Sequence, residues 1–200
     1  MKIIVGLTGN IASGKSTASE ILRELGANVI NADLIVYDLY SKNKELIKKL
    51  CKEFGKSILN KEGTIDRKKL GSIVFYNKKK MKKLIDIVWP YVTKEVKKRI
   101  SKIKKGIIIV EATFLFEAGW KRFVDYSILV TSHKRKRMER LMKRNPDYSL
   151  SYIKQIINSH DDSRFKDIHF DYIIHNNSTL DSLRKKVKKV YSSLKAPKKF

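Results

Sequence analysis

Glycine, lysine and hydroxyl residues follow an apolar run near the start of the chain, in IIVGLTGNIASGKST (residues 3–17). Gly9, Gly14, Lys15 and Ser16 match the pattern G-x-x-x-x-G-K-[ST], the P-loop. Its glycines let backbone N–H groups turn inward around phosphate oxygens, assisted by the dipole of the following helix. Lys15 would reach the β and γ phosphates, and the Ser16 hydroxyl would bind Mg²⁺. The residues predicted to line this nucleotide site are Gly9, Asn10, Ile11, Ala12, Ser13, Gly14, Lys15, Ser16 and Thr17.

Two carboxylates stand at the ends of predicted strands. Asp33, in NAD, follows the second predicted strand, at the edge where open α/β folds bind their ligands. A carboxylate there can orient an acceptor hydroxyl for phosphoryl transfer, and it can also cap a helix that begins at Leu34. Glu111 ends the third predicted strand, where it can hold Mg²⁺ through water. Glu117 lies on the loop beyond and is as readily a surface charge.

A basic segment, SHKRKRMERLMKRNPDYS (132–149), predicts a helix that ends before Pro146. Arg140 and Arg144 are four residues apart and therefore share one helix face. Such a pair can close over a transferring phosphate as a lid. A solvated basic face is the alternative interpretation, and the sequence favours neither strongly.

Five short apolar segments are typical of strands buried on both faces of a parallel sheet: residues 2–8, 28–31, 106–112, 126–131 and 171–175. Between the first two, STASEILRELGA has the apolar spacing of a helix that ends at a glycine, which predicts a βαβ unit. From about residue 34 to 105 the pattern is almost wholly helical.

These elements predict an α/β chain with the P-loop NTPase fold, in which helices flank a five-stranded parallel sheet. The predicted nucleotide-binding core comprises residues 1–33 and 106–200, with the basic lid helix at about 132–149. Residues 34–105 are predicted to form a helical insertion that binds the acceptor. The tail from residue 195 is predicted to fray.

The composition limits the class of protein. With 200 residues, 42% of them hydrophobic, the chain can bury the core of one domain with a small insertion. It shows neither a cleavable leader pattern nor an apolar run of about 18 residues, so we expect a cytoplasmic protein without a membrane anchor. Cys51 is the only cysteine and cannot form an internal disulfide bond.

The chain carries 45 Lys and Arg against 20 Asp and Glu, a formal net charge of +25. Such a charge favours association with polyanions such as nucleic acids. The lysines, however, lie between apolar residues at helical spacing, as in KNKELIKKL and RKKVKKV, which is typical of solvated faces of amphipathic helices. We therefore do not expect nucleic acid as a partner.

Several segments together resemble the dephospho-coenzyme A kinases over nearly the whole chain. They are GLTGNIASGKST, VINAD, GTIDRKKLGSIVF, VEATFLFEAGW, RLMKRN and DYIIHNNS, in the order and approximate spacing of that family. GTIDRKKLGSIVF (63–75) is the most specific, because the P-loop is shared by many NTPases. The resemblance implies ATP-dependent phosphorylation of the ribose 3'-hydroxyl of dephospho-coenzyme A, with Mg²⁺ as cofactor.

The resemblance also implies roles for individual residues. Lys15, Asp33 and Arg140 are the implied catalytic residues, at the phosphates, the acceptor hydroxyl and the lid. Asn176 resembles the position beside the adenine of ATP, and Arg144 joins it in the ATP site. Ser16 is the implied metal ligand. The residues assigned to the acceptor are Thr8, Asp33, Arg67, Phe75 and Glu111.

The chain departs from the family pattern at three places, which weakens the inference of acceptor contacts more than that of phosphate chemistry. Trp89-Pro90 replaces the usual His-Pro, residues 113–115 (TFL) replace a Pro-Leu-Leu segment, and His160 replaces a Gln. Two other functions stay open: a nucleoside or nucleoside monophosphate kinase, and a basic nucleic-acid-binding P-loop protein. A monomer or a weak homo-oligomer is expected.

Overall fold

The structure is a computed structural model that describes residues 1–75, 77–159 and 162–194. His160 and the predicted frayed tail lie outside these residues. The chain divides into two compact units: Met1–Ile30 with Ile103–Phe200, here called the core unit, and Asn31–Lys102, here called the helical unit. Among the described helices, none combines the length and the apolar character needed to cross a membrane.

The core unit is organised around a five-stranded sheet. The strands are β1 (Lys2–Thr8), β2 (Asn28–Asn31), β3 (Gly106–Glu111), β4 (Tyr126–Thr131) and β5 (Tyr172–His175). Their order is β2-β3-β1-β4-β5, and β1 pairs in parallel with both β3 and β4, while β4 pairs in parallel with β5. The predicted parallel sheet flanked by helices is confirmed. Because β1 is central, the loop after it lies between the ends of β3 and β4.

Helices of the core unit are α1 (Lys15–Glu24), α6 (Lys134–Arg144), α7 (Leu150–Ser159) and α8 (Leu180–Ser193). Helices α1 and α8 cover one face of the sheet, where their apolar residues pack against alternate residues of β1. Ile21 and Leu22 of α1 are buried there with Val187 of α8. Burial of each such side chain contributes about 1.5–3 kcal/mol, so this cluster holds α1, and the loop before it, against the sheet.

Two aspartates that precede strands tie neighbouring strands together. The Asp125 carboxylate accepts the Ile4 N–H at 2.7 Å. The Asp171 carboxylate accepts the Ser127 N–H at 2.7 Å and the Ser127 hydroxyl at 2.8 Å. These bonds satisfy polar groups at the amino ends of the strands and support the register that brings the carboxyl ends to one edge.

The helical unit contains α2 (Ala32–Lys42), α3 (Lys44–Phe54), α4 (Arg67–Val74) and α5 (Lys78–Lys102). Helix α2 begins two residues before the predicted position because Asn31 is its N-cap, accepting the Leu34 N–H at 2.9 Å. The alternative role of Asp33 as the cap is therefore wrong, and Asp33 lies in the first turn. In α5 the helix continues through Pro90, and Trp89 is buried.

Candidate active site

The loop Gly9–Gly14 joins the carboxyl end of β1 to α1, and Gly14 is the N-cap of that helix. A Cβ at Gly9 would collide with the Val130 carbonyl and lie 2.7 Å from Ser13 Oγ. Gly14 has φ +99°, a conformation that other residues rarely adopt, and a Cβ there would collide with Asn176 Nδ2. Both glycines of the P-loop pattern are therefore required by the fold, and the loop forms a cradle beside a helix N-terminus.

Lys15, Ser16 and Glu111 form one cluster, in which Lys15 and Glu111 are buried and Ser16 is exposed. Lys15 Nζ lies 2.7 Å from Glu111 Oε1, and the Ser16 hydroxyl donates to the same oxygen at 2.7 Å. The side chains of Lys15 and Glu111 are 9% and 2% exposed. Pairing offsets the cost of burying each charge. A hydroxyl and a carboxylate are hard oxygen ligands of the kind Mg²⁺ prefers, so this donor set fits that ion together with a nucleotide phosphate.

Arg140 lies against the backbone of the P-loop. Its guanidinium donates to the carbonyls of Ala12 and Ser13, each at 3.2 Å, and to the Asn176 carbonyl at 2.9 Å. It also donates to the Ser132 hydroxyl at 3.2 Å. Burial lowers the pKa of Arg140 from its ordinary value, but an arginine stays charged at neutral pH. The structure thus places the predicted lid arginine on the loop itself.

Asn176, which follows β5, also binds the loop. Its Nδ2 donates to the Ser13 carbonyl at 2.8 Å, and its backbone N–H donates to the Thr131 carbonyl at 2.8 Å. In a trans peptide the carbonyl and the next N–H point in opposite directions. Holding the Ser13 carbonyl from one side therefore directs the Gly14 N–H toward the other side, as a phosphate-binding loop requires.

Hydrogen bonds from two side chains, Thr8 and Arg164, hold the loop after β3. The Thr113 carbonyl accepts the Thr8 hydroxyl at 3.2 Å and Arg164 at 2.7 Å. Arg164 also pairs with Glu117 at 2.5 Å and lies 4.6 Å from the centre of the Phe114 ring. Glu117 is therefore part of an ion pair within the core unit. Thr8 is fully buried, which places its hydroxyl beneath the loop.

The remaining predicted residues are exposed or belong to the helical unit. Arg144 is exposed at the last position of α6. In the helical unit, Asp33 is half-buried on α2, and Arg67, the first residue of α4, places its guanidinium 6.0 Å from the centre of the Tyr37 ring. Phe75 follows α4 and packs against Gly71, where an added Cβ would lie 2.7 Å from its ring.

Sequence reasoning missed two residues that contact the loop. Arg137 donates to the Ile11 carbonyl at 3.0 Å, and Asp162 accepts from Asn10. The only signal for Arg137 is its spacing from Arg140, three residues along one helix, within a segment where most residues are basic. Nothing in the sequence near Asp162 distinguishes it from a surface acid.

Comparisons with known proteins identify the family of this chain. The family model described as dephospho-CoA kinase matches residues 3–182. A protein named dephospho-CoA kinase from Aquifex aeolicus is 37% identical over 194 residues, which is 95% of this chain and 96% of that protein.

Two solved structures have a fold similar to that of this chain. A protein of Thermus thermophilus, 28% identical, has a TM-score of 0.77 and covers 98% of this chain and 99% of its own. A dephospho-CoA kinase from Campylobacter jejuni, 30% identical, has a TM-score of 0.58 and covers 96% of this chain and 97% of its own. The P-loop after the central strand, the lysine–serine–glutamate cluster and a family match over most of the length lead to one conclusion: this chain belongs to the dephospho-CoA kinase family.

Proposed function

We propose that this chain transfers the γ-phosphoryl group of ATP to the ribose 3'-hydroxyl of dephospho-coenzyme A, giving coenzyme A and ADP, the last step of coenzyme A synthesis. The observation that carries the proposal is the Lys15–Ser16–Glu111 cluster beside the P-loop, whose lysine and glutamate side chains are buried, in a chain whose family match spans residues 3–182. The match does not favour a nucleoside kinase or a nucleic-acid-binding protein.

In the nucleotide half of the reaction, the loop amides and the N-terminus of α1 bind the phosphates. Lys15 neutralises charge on the β and γ phosphates, and Glu111 orients Lys15 and Ser16 through its single shared oxygen. Mg²⁺, held by Ser16 with Glu111 near it, supplies further neutralisation of the phosphate charge when bound. Phosphoryl transfer needs positioning and charge stabilisation more than covalent chemistry, which is what these residues provide.

In the acceptor half, we assign Asp33 to the ribose 3'-hydroxyl as proton acceptor. An aspartate with a pKa of about 3.9 is a weak base, but a loose transition state needs a well-placed acceptor rather than a strong one. Arg67 and Phe75 are assigned to acceptor contacts in the helical unit. For Thr8 and Glu111, burial and their bonds within the core unit favour a supporting role beneath the site over direct contact.

The basic helix α6 supplies two arginines with different roles. Arg140 holds the carbonyls of Ala12 and Ser13, so we assign it to the shape and charge of the phosphate cradle. Arg144 is exposed and is the residue of this helix that a closing lid would bring to the nucleotide, excluding water. Asn176 shares the support of the loop; its predicted place beside adenine, the cytoplasmic location and the monomeric or weakly associated state stay predictions.

The test is ADP release by the purified chain with ATP and Mg²⁺, without acceptor, with dephospho-coenzyme A, and with each nucleoside monophosphate. Lys15→Ala is the blank, and Lys188→Ala, on the exposed face of α8, is the matched control. We expect stimulation by dephospho-coenzyme A alone, retained in Lys188→Ala and lost in Lys15→Ala. Stimulation only by a nucleoside monophosphate would replace this proposal with another kinase activity, and salt-sensitive nucleic acid retention without stimulation would replace it with a binding function.

A further inference from the structure

A buried arginine joins the P-loop to two other segments of the core unit. The Arg137 side chain is 2% exposed, its Nε donates to the Ile11 carbonyl at 3.0 Å, and its terminal nitrogen lies 3.3 Å from Asp162 Oδ1. The same carboxylate oxygen accepts a hydrogen bond from Asn10 Nδ2. Asp162 begins a short 3₁₀ helix, Asp162–Phe165. One cluster of side chains thus connects α6 and this 3₁₀ helix to residues 10 and 11 of the loop.

Burying this charge is costly for stability alone. A buried ion pair is often no more stabilising than apolar residues of similar volume, and apolar residues are available on α6 and α7: Leu141, Ile153 and Ile157 form a cluster against which Ile11 packs. Asp162 is itself 56% exposed, so the buried guanidinium is paired with a carboxylate that is largely in water. The buried ion pair is therefore better explained by the conformation of the P-loop than by packing.

The bond from Arg137 to the Ile11 carbonyl affects the direction of the next peptide N–H, that of Ala12. Because a trans peptide directs its carbonyl and the following N–H to opposite sides, Arg137 on the Ile11 carbonyl orients the Ala12 N–H toward the inner side of the loop. Ala12 has φ +59°, the one positive φ outside glycine in the described residues, a left-handed conformation that is unfavourable for an L-residue. Two arginines hold that conformation. Arg137 donates to the carbonyl before the Ala12 nitrogen, that of Ile11, and Arg140 donates to the carbonyl of Ala12 itself.

We propose that Arg137 is a positioning residue for nucleotide binding, oriented by Asp162, and that it acts by fixing the Ala12 amide toward the triphosphate. The inference rests on the proposed ATP site but not on the identity of the acceptor. Loss of an oriented, charge-assisted hydrogen bond of about 1.5–3 kcal/mol corresponds to roughly a tenfold to hundredfold weakening of ATP binding. Binding of the acceptor is unaffected, since neither residue belongs to the helical unit.

The experiment measures the dissociation constant of ATP·Mg²⁺ by calorimetry and the KM of each substrate, for Arg137→Met, Asp162→Ala, Asp162→Asn and the double variant Arg137→Met/Asp162→Ala. Arg135→Met is the matched control, because Arg135 lies on the same helix, 83% exposed, and pairs only weakly with Glu139 at 3.8 Å. Thermal unfolding of each variant separates loss of fold from loss of binding.

We expect the ATP dissociation constant and KM to rise about tenfold or more in Arg137→Met and Asp162→Ala, with the acceptor KM unchanged. Asp162→Asn, which keeps an oxygen acceptor for Asn10, recovers part of the affinity, and the double variant is no weaker than Arg137→Met. Wild-type ATP affinity in folded Asp162→Ala, or an equal loss for both substrates, would overturn the inference even where Arg137→Met does not fold. Failure of the wild-type chain to bind ATP would instead overturn the proposed function, and the inference with it.

Discussion

Replacing Gly14 by alanine tests how the P-loop is held in shape. Gly14 is the N-cap of α1 at φ +99°, and the new Cβ would collide with Asn176 Nδ2. That amide donates to the Ser13 carbonyl at 2.8 Å. The substitution therefore adds backbone strain and also displaces the side chain that directs the Gly14 N–H inward.

The two effects have separate magnitudes. A left-handed conformation costs about 1–2 kcal/mol for a residue other than glycine. Displacing Asn176 removes a buried hydrogen bond, which costs about 1–3 kcal/mol. The sum, about 2–5 kcal/mol, corresponds to a melting temperature lower by roughly 4–20 °C for a chain of this length. Because the loop amides then no longer converge on phosphate, we expect the ATP dissociation constant to rise at least about tenfold, or about 1.4 kcal/mol.

Gly26→Ala is the matched control, at the other end of the same helix. Gly26 has the same φ of +99°, but its added Cβ would meet only Tyr191 Oη at 3.5 Å, an ordinary contact. Gly26→Ala therefore adds the backbone strain alone, so we expect its free energy of unfolding to fall by about 1–2 kcal/mol and its ATP affinity to stay unchanged. The assays are thermal unfolding and calorimetric titration with ATP·Mg²⁺. Equal losses of stability in the two variants, with ATP bound normally by Gly14→Ala, would refute the assigned role of Asn176.

Two further predictions address the acceptor and the sheet. Asp33→Asn keeps the size of the side chain but removes its basicity, so steady-state kinetics should show kcat lower by about 100-fold or more with both KM values nearly unchanged; an unchanged kcat would contradict its assignment. Asp171→Ala removes the acceptor of the Ser127 N–H and hydroxyl. Thermal unfolding should therefore show a free energy of unfolding lower by about 2–3 kcal/mol. Its ATP affinity should equal that of the wild type, and weaker binding would show that this edge of the sheet also shapes the site.

Patterns carried by neighbouring residues account for what the sequence predicts well. The strand, glycine-rich turn and helix around residues 2–24 are local in sequence, and residue type and spacing predict all three. The sequence predicts the start of α2 two residues too late, because NAD offers two residues that cap helices well, Asn31 and Asp33. The choice between them depends on where β2 ends, and Asn31 is its last residue, which local propensity does not determine.

Contacts between residues that are far apart in the chain account for what the sequence predicts poorly. Ile11 and Arg137 are 126 positions apart, and Asn10 and Asp162 are 152 apart. Each partner is selected by the packing of α6 and the 3₁₀ helix against the loop, not by a pattern near either residue. The family resemblance implies a place beside adenine for Asn176, and the bond from its side chain to the Ser13 carbonyl, 163 positions away, is visible only in the structure.

The basic helix α6 shows why net charge is a poor guide to the chemistry of this chain. Within Lys134–Arg144, Arg135 is 83% exposed while Arg137 is 2% exposed, although they are two residues apart in one run of basic residues. A helix turns about 200° over two residues, so one guanidinium faces water and the other faces the P-loop. The charge that shapes the nucleotide site is therefore a few buried cations, each bonded to a carbonyl or a carboxylate. The surplus of lysine on exposed helix faces contributes a long-range field that attracts anionic substrates and is screened by salt.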